Sequence, residues 1–233
     1  MPRATSPIAL ATAFLVAACQ SGSLSSPLPS PPPGVVYRVL PPAGPTPSKD
    51  DTSRAIDVLS ARLRALGISN FTAAAGDGIT FVLPPTVSDP QVRAILSTPG
   101  QISFVPLGPS GEVVAAEGQP PPANMHELFG ADQIAAASVD ASATGGSAVT
   151  IRLKDAGARL LADYSSAHVG DLFAIVLDGR ILVMPTVAGA IPDGSVTISM
   201  PDQQLMIPIE ALAAIFASGP LPVAWRQAQV SRQ

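Results

Sequence analysis

The chain has 233 residues, of which 47% are apolar and 13% are charged, and its formal net charge is −4. This composition supplies enough apolar surface for one domain or two small ones. The chain shows no basic cluster, which argues against nucleic acid as a partner. After the N-terminus, no apolar stretch approaches the roughly 20 residues that are needed to span a bilayer.

The N-terminus has the three parts of a bacterial export signal. Arg3 supplies a positive charge, Ile8–Ala18 is a short apolar run, and small residues precede Cys19. A basic start, an apolar segment too short to cross a bilayer and a small-residue cleavage site are typical of a secretory signal that is removed. Residues 1–18 are therefore predicted to be a signal peptide, cleaved between Ala18 and Cys19.

Cys19 is the only cysteine, so no internal disulfide can form. The segment Val16–Cys19 resembles a lipobox, in which the cysteine receives lipid, such as palmitate, before cleavage. The alternatives are an ordinary signal peptide with an accidental cysteine and a cytosolic chain with an apolar start. Residues 19–34 are rich in Ser, Gly and Pro and uncharged, which predicts a lipidated, disordered linker that extends by about 3.1 Å per residue. Together these features predict a lipoprotein anchored to the cell membrane outside the cytoplasm.

The first half of the remaining chain alternates between strand and helix patterns. Alternating or β-branched apolar residues predict strands over 35–40, 79–83 and 101–107. Apolar residues at helical spacing from Ile56 to Leu66 predict a helix, with N-cap oxygens available from residues 50–52. Gly67 sits where a helix-ending glycine belongs, in a Schellman arrangement with Ile68. A second, short helix is predicted from Ser88-Asp89-Pro90 onward.

A stretch rich in Gly and Pro, residues 108–122, separates this half from the second. The second half is predicted to contain helices over 125–136, 155–165 and 209–217, and strands over 147–153, 173–177, 181–184, 195–200 and 221–230. The helix over 155–165 should turn Leu160, Leu161 and Tyr164 inward. Asp178-Gly179 lies between two apolar runs and predicts a tight hairpin of type I′.

The residue inventory predicts no catalytic centre, no cofactor and no metal site. The two histidines, His126 and His168, are too few for a zinc site of three or four ligands. His168 follows a predicted helix, which favours a capping role, and its nearness in sequence to Ser165, Ser166 and Asp163 is not the geometry of a triad.

Three further motifs favour structural roles. Lys154-Asp155 is predicted to cap the helix that follows it. Gly76-Asp77-Gly78 and Pro192-Asp193-Gly194 are predicted to be turns. The apolar segment Ile209–Phe216 is predicted to be core, with an exposed groove for unfolded chains as the alternative reading of the apolar surface in this half.

Two blocks and a short tail of the sequence have the pattern of one known family. Residues 55–84 contain A-I-D-V-L-S-A-R-L-R-A-L-G-I-S followed by D-G-I-T-F-V-L-P. Residues 152–198 contain R-L-K-D-A-G-A-R-L-L-A-D-Y-S-S-A-H-V-G, then A-I-V-L-D-G-R-I-L-V-M-P-T-V and G-A-I-P-D-G-S-V-T-I, and the tail at 217–223 is A-S-G-P-L-P-V. These segments resemble the first periplasmic domain of SecD, the membrane subunit that assists the Sec protein-export channel.

The resemblance implies an α+β fold in which a ferredoxin-like base carries an inserted α+β head. The base would comprise residues 35–107 plus 220–233, and the head residues 108–219. By analogy, the protein would be a non-enzymatic module that binds exported polypeptides or assists translocation at the Sec translocon. An envelope lipoprotein that reuses the fold for another ligand or partner is the alternative, and a hydrolase is a third reading that the residue inventory disfavours.

Overall fold

A computed structural model of the protein describes residues 34–44, 46–87, 89–112, 115–141, 147–200 and 207–232. The predicted signal peptide, with Ala18, and the linker from Cys19 to Pro33 lie outside the described residues. Among the helices that are described, none combines the length and the apolar character needed to cross a membrane.

The first sheet, here called the base sheet, has four antiparallel strands, and two helices connect strands of this part of the chain. The strands are β1 (Val35–Leu40), β2 (Thr72–Ala75), β3 (Ile79–Leu83) and β11 (Arg226–Arg232), and the helices are α1 (Lys49–Ala65) and α2 (Asp89–Ser97). The spatial order of the strands is β11-β1-β3-β2. The chain order β1-α1-β2-β3-α2-β11 is the β-α-β-β-α-β arrangement of a ferredoxin-like unit. The predicted ferredoxin-like base is therefore confirmed, with its last strand supplied by the C-terminal segment.

Helix α1 has sequence-encoded ends. Ser48, not the predicted residues 50–52, is the N-cap, because its hydroxyl accepts from Asp51 N–H at 3.0 Å while the Asp51 carboxylate accepts from Ser48 N–H. At the other end, Ile68 N–H donates to Leu63 O and Gly67 has a φ of +77°. The predicted Schellman ending is thus confirmed.

The sequence predicts only one strand of the hairpin β2–β3. Strand β3 buries Ile79, Phe81 and Leu83 on one face, as the alternation of its residues indicates. Strand β2 reads T-A-A-A, which has no alternation of apolar and polar residues, and it is mostly exposed. The predicted turn at residues 76–78 joins the two strands.

Between α2 and β11 lies an insertion with two further sheets. Its elements are β4 (Ile102–Pro109), β5 (Phe129–Gly130), β6 (Ile134–Ala141), β7 (Ser147–Leu153), α3 (Asp155–Ala167), β8 (Asp171–Leu177), β9 (Arg180–Val183), β10 (Ser195–Met200) and α4 (Ile209–Ser218). The strand orders of the two sheets are β5-β4-β8-β9 and β10-β7-β6. The predicted fold class, an α+β base with an α+β insertion, is confirmed. The division between base and head at residues 107 and 108 stays a prediction; β4, which crosses that division, pairs with β8.

The helix predicted over residues 125–136 is wrong. The segment instead contains β5, a single 3₁₀ turn at Ala131–Gln133 and the start of β6. Alanine favours helix, but intrinsic propensity is a weak determinant, and pairing of β6 with β7 outweighs it at Ala136 and Ala137. Gly130, with extended backbone, is the last residue of β5 and the N-cap of the 3₁₀ turn.

Two smaller predictions also need correction. Leu161 is buried in α3, but Leu160 is 42% exposed and points away from the core. The last strand begins at Arg226 and not at Leu221, because Leu221 N–H donates to Pro99 O outside the base sheet.

Helix α4 is the core helix that joins the base to the insertion. Its residues from Ala211 to Phe216 are all buried, which confirms the core prediction for this segment. The helix packs against α1 and α2 of the base and against β6 and β7 of the insertion. Gly219, with a φ of +76°, ends it as predicted.

Arg62 of α1 is fully buried where the chain leaves the base and where it returns. Its guanidinium donates to the carbonyl oxygens of Ile95, Thr98, Pro99 and Gly219 and to the Ser218 hydroxyl, over distances of 2.5–3.0 Å. These oxygens lie at the C-terminal ends of α2 and α4, where helix carbonyls lack intrahelical partners and carry partial negative charge.

Burial lowers the pKa of Arg62 to about 10, with the charge of Asp178 opposing the shift. At this value the side chain stays charged at neutral pH. Burial likewise raises the pKa of the Asp178 carboxyl, against hydrogen bonds from the backbone of Gln101 and Gly100 and the charge of Arg62. The buried guanidinium of Arg62 therefore connects the two places where the chain passes between base and insertion.

Replacing Arg62 by leucine should lower the free energy of unfolding by about 3–5 kcal/mol, because several buried carbonyls lose their donor. Chemical denaturation of the variant measures this change. Arg64→Leu on the same helix is the matched control: Arg64 is exposed and lies over the Phe71 ring at 5.6 Å, so its loss should cost at most about 1 kcal/mol. Equal stabilities of the two variants would contradict the role given to Arg62.

Candidate functional site

The residues that sequence reasoning considered for catalysis do not form a catalytic centre. His168 ends α3, stacks on the Tyr164 ring at 4.3 Å and places Nδ1 3.0 Å from Asp171 Oδ2. Ser166 Oγ donates to the backbone oxygen of Asp163, and Ser165 Oγ accepts from Ile191 N–H. The two hydroxyls thus bond to the backbone, and within the described residues neither contacts the imidazole as a nucleophile would contact its base.

The other singled-out motifs have structural roles. Asp178 and Gly179 have φ angles of 51° and 77°, as a type I′ turn requires, and Asp178 Oδ1 accepts from Gln101 N–H at 2.8 Å. Lys154 occupies the N-cap of α3 without a side-chain capping bond; its ammonium instead donates to Asp132 O. His126 is exposed, and in the described ranges no three His, Cys, Asp or Glu side chains are grouped as metal ligands.

An apolar groove of about 1060 Å³ lies in the insertion between β9 and β10, the last strands of its two sheets in the described part of the chain. One wall is the continuous segment 180–191, which includes β9. The facing wall is β10, from Ser195 to Ser199, and Leu161, Phe173 and Ile207 contribute further apolar surface. A groove of this size that is lined mainly by aliphatic side chains is the type of surface that binds an apolar ligand or chain segment.

The groove reaches β10 at its edge. Five consecutive residues, Ser195–Ser199, line it, although successive side chains of a strand point to opposite faces of the sheet. Contact with all five residues indicates that the groove opens onto the edge of the strand, where main-chain groups point. Sequence reasoning missed this property because it depends on which strand lies at the edge.

Across the groove from β10, the edge of β9 that does not pair with β8 already carries an extended segment of the chain. Gly118 N–H donates to Ile181 O and Ile181 N–H donates to Gln119 O, both at 2.8 Å. Arg180 adds a bond from its guanidinium to Gly118 O. Arg180 and Glu117 are the charged residues of the groove lining. The two edges thus differ: residues 118–119 pair with β9, whereas β10 is the last strand of its sheet in the described part of the chain.

A second, smaller cavity of about 390 Å³ lies beside His168, Asp171 and Tyr164. The Tyr164 hydroxyl is inaccessible to solvent and has no hydrogen-bond partner among the described residues. Burial, and next the charge of Asp171, raise the pKa of the Tyr164 hydroxyl. The lining of this cavity includes Glu112, next to residues 113–114, which lie outside the described residues, so the larger groove is the stronger candidate site.

Comparison with known families and proteins gives a consistent result. Residues 112–223 match the family described as the SecDF P1 head subdomain. SecD of Rhodobacter capsulatus is 28% identical over an alignment of 133 residues, and the match covers 51% of this chain and 24% of that protein. SecD of Acidaminococcus fermentans is 29% identical over 176 residues, which are 75% of this chain and 38% of that protein.

Solved structures of SecDF share the fold. SecDF in its super-membrane-facing form superposes with a TM-score of 0.66 at 21% identity, over 86% of this chain and 30% of that one. A second structure, of SecDF as a membrane component that enhances protein export, gives a TM-score of 0.61 at 21% identity, over 84% of this chain and 98% of that one. The matches thus span 24% and 38% of the lengths of the two SecD relatives described above. Residues 112–223 are thus similar to the P1 head subdomain of SecDF, and the groove lies within the matched residues.

Proposed function

We propose that this protein is a non-enzymatic binding module that works outside the cytoplasm and holds exported polypeptides in its groove. The observation that carries the proposal is the groove itself: about 1060 Å³ of mainly aliphatic surface within a SecD-like domain. Unfolded chains expose apolar side chains that such a surface can cover, and a groove without buried charges imposes little sequence preference. The Sec translocon would then be the neighbouring assembly that delivers these chains.

The non-enzymatic assignment is supported by the chemistry of the described side chains. The imidazole of His168 is held by Asp171 and the Tyr164 ring, and the nearby serine hydroxyls bond to backbone atoms. The groove lining offers one carboxylate, Glu117, and one guanidinium, Arg180, whose Nη1 bonds to a carbonyl. In a binding role, Glu117 and Arg180 contact the bound chain at the rim of the groove, and no proton transfer is required.

The anchor belongs to the same proposal. A lipid on Cys19 and a proline-rich linker up to residue 34 would hold the domain near the membrane surface while leaving it free to meet emerging chains. Stable membrane attachment takes more than one acyl chain, which lipoprotein processing would supply. The role is passive: the tether localises the domain and transmits no force to it.

Leu182→Glu should weaken binding of an unfolded apolar polypeptide by about tenfold or more, because it places a charge in the apolar wall of the groove. Binding of a fluorescently labelled, chemically unfolded exported protein measures the effect, with circular dichroism as the check on folding. Leu160→Glu is the matched control, since Leu160 is an exposed leucine on α3 outside the groove lining. If Leu160→Glu weakens binding as much as Leu182→Glu does, the groove is not the site.

Cys19→Ala should abolish incorporation of labelled fatty acid and release the protein from the membrane fraction, because the alanine side chain has no thiol to accept lipid. Metabolic labelling followed by membrane fractionation measures both effects. A conservative change in the linker, Ser23→Ala, should leave both unchanged. A Cys19→Ala protein that stays in the membrane fraction would refute the lipid tether.

A further inference from the structure

The pattern of backbone hydrogen bonds between β10 and β7 shows which main-chain groups of β10 point away from β7 and toward the groove. In an antiparallel ladder, opposite residues alternate between pairs that exchange both backbone hydrogen bonds and pairs that exchange none. Leu153 N–H donates to Gly194 O, which marks that pair as bonded, and the register with β7 then continues without a shift along the whole strand. The residues of β10 whose N–H and C=O groups point outward are therefore Ser195, Thr197 and Ser199.

Two contacts agree with this alternation of bonded and non-bonded pairs. Ser195 N–H donates to Asp193 Oδ1 at 3.2 Å and so faces away from β7. Thr197 Oγ1 lies 3.1 Å from Thr150 Oγ1 across the ladder, as expected for a pair without backbone bonds, in which side chains approach closely. Within the described residues, no hydrogen bond occupies the backbone groups of Thr197 or Ser199, and both residues are exposed.

Unpaired outward groups on a sheet edge are a template for another strand. Here the template faces an apolar wall and not open solvent, because the same cavity is lined by Leu182, Val183 and Ile191. The fold already uses this kind of pairing across the groove, where Gly118 and Gln119 bond to both backbone groups of Ile181. The edge of β10 offers the same chemistry to a chain from outside.

We propose that β10 recognises the main chain of an extended polypeptide, which adds to the sheet as a further strand beside Thr197 and Ser199. The inference rests on the proposed function and specifies its mode of binding. Main-chain hydrogen bonds are the same for every residue except proline, so they accept unrelated sequences. Side chains of an added strand alternate between two faces, so every second one enters the apolar groove. The partner is thus an extended segment of about six residues with apolar side chains at alternate positions and no proline.

The β10 edge can be tested by removing one outward donor without touching the ladder to β7. Thr197→Pro deletes an N–H that faces the groove, a position at which an edge strand tolerates proline. Thr197→Ala keeps that N–H and loses the same hydroxyl, so it is the matched control. The probe is a fluorescent peptide of about eight residues that alternates valine and threonine and has lysine ends. Thr197→Pro should bind the probe about threefold to tenfold more weakly than Thr197→Ala does, both measured on the full chain, because the two variants differ in the N–H but not in the lost hydroxyl.

A second measurement uses the unaltered protein, in case the proline variant does not fold. The probe is N-methylated at one backbone nitrogen at a time, which removes a single donor from the peptide. Because alternating valine and threonine fix which face enters the groove, methylation should weaken binding at every second position and leave the positions between unchanged. Binding that is indifferent to methylation, or equally impaired at all positions, would overturn strand addition while leaving groove binding intact. Failure of the unmethylated probe to bind would instead overturn the proposed function itself.

Discussion

The buried guanidinium of Arg62 is the interaction on which the relation between base and insertion depends. A domain inserted into another leaves it and returns to it, and here both crossings end a helix whose last carbonyls need donors. Arg62 supplies those donors for α2 and α4 together, through hydrogen bonds to Thr98, Pro99 and Gly219 among others. Gly100 is part of the same arrangement: its φ is +83°, and a Cβ at this position would collide with Arg62 Nη2. The charge of Arg62, the carbonyl groups at the ends of α2 and α4, and the missing side chain at Gly100 thus together stabilise the junction between base and insertion.

From this junction the candidate site follows by packing. Helix α4 ends beside Arg62 and covers β6 and β7, so the sheet that contains β10 is held against the base through a buried apolar helix. The other inserted sheet begins with β4 directly after Gln101, whose N–H bonds to Asp178 at the tip of the β8–β9 hairpin. The two sheets therefore start from neighbouring anchor points and leave the edges of β9 and β10 facing each other across the groove. An apolar wall opposite a strand edge that is unpaired in the described part of the chain is a consequence of this arrangement.

Local sequence signals predicted much of the fold and little of the site. Helix α1, strand β3 and the hairpin at Asp178 were predictable because capping, alternation and turn chemistry are local. The helix expected over 125–136 failed because strand pairing, a nonlocal interaction, decided the conformation of Ala-rich β6. Burial of Arg62 carried a signal that was missed: it lies seven residues after Ala55 and three after Leu59, on the apolar stripe of α1. The groove had no such signal, since it depends on which strands of two sheets lie at their edges.

The central claim is that exported chains occupy the groove beside β10 in the cell. The most direct measurement is site-specific photocrosslinking in living cells, with a photoreactive residue at Ser199 in the groove and, in a parallel strain, at Val169. Val169 is 59% exposed and lies outside the groove lining, so it reports random encounters. The account predicts crosslinks from Ser199 to newly exported polypeptides, lost when export is stopped, and none from Val169. Equal crosslinks from both positions, or crosslinks from Ser199 only to resident envelope components, would contradict it.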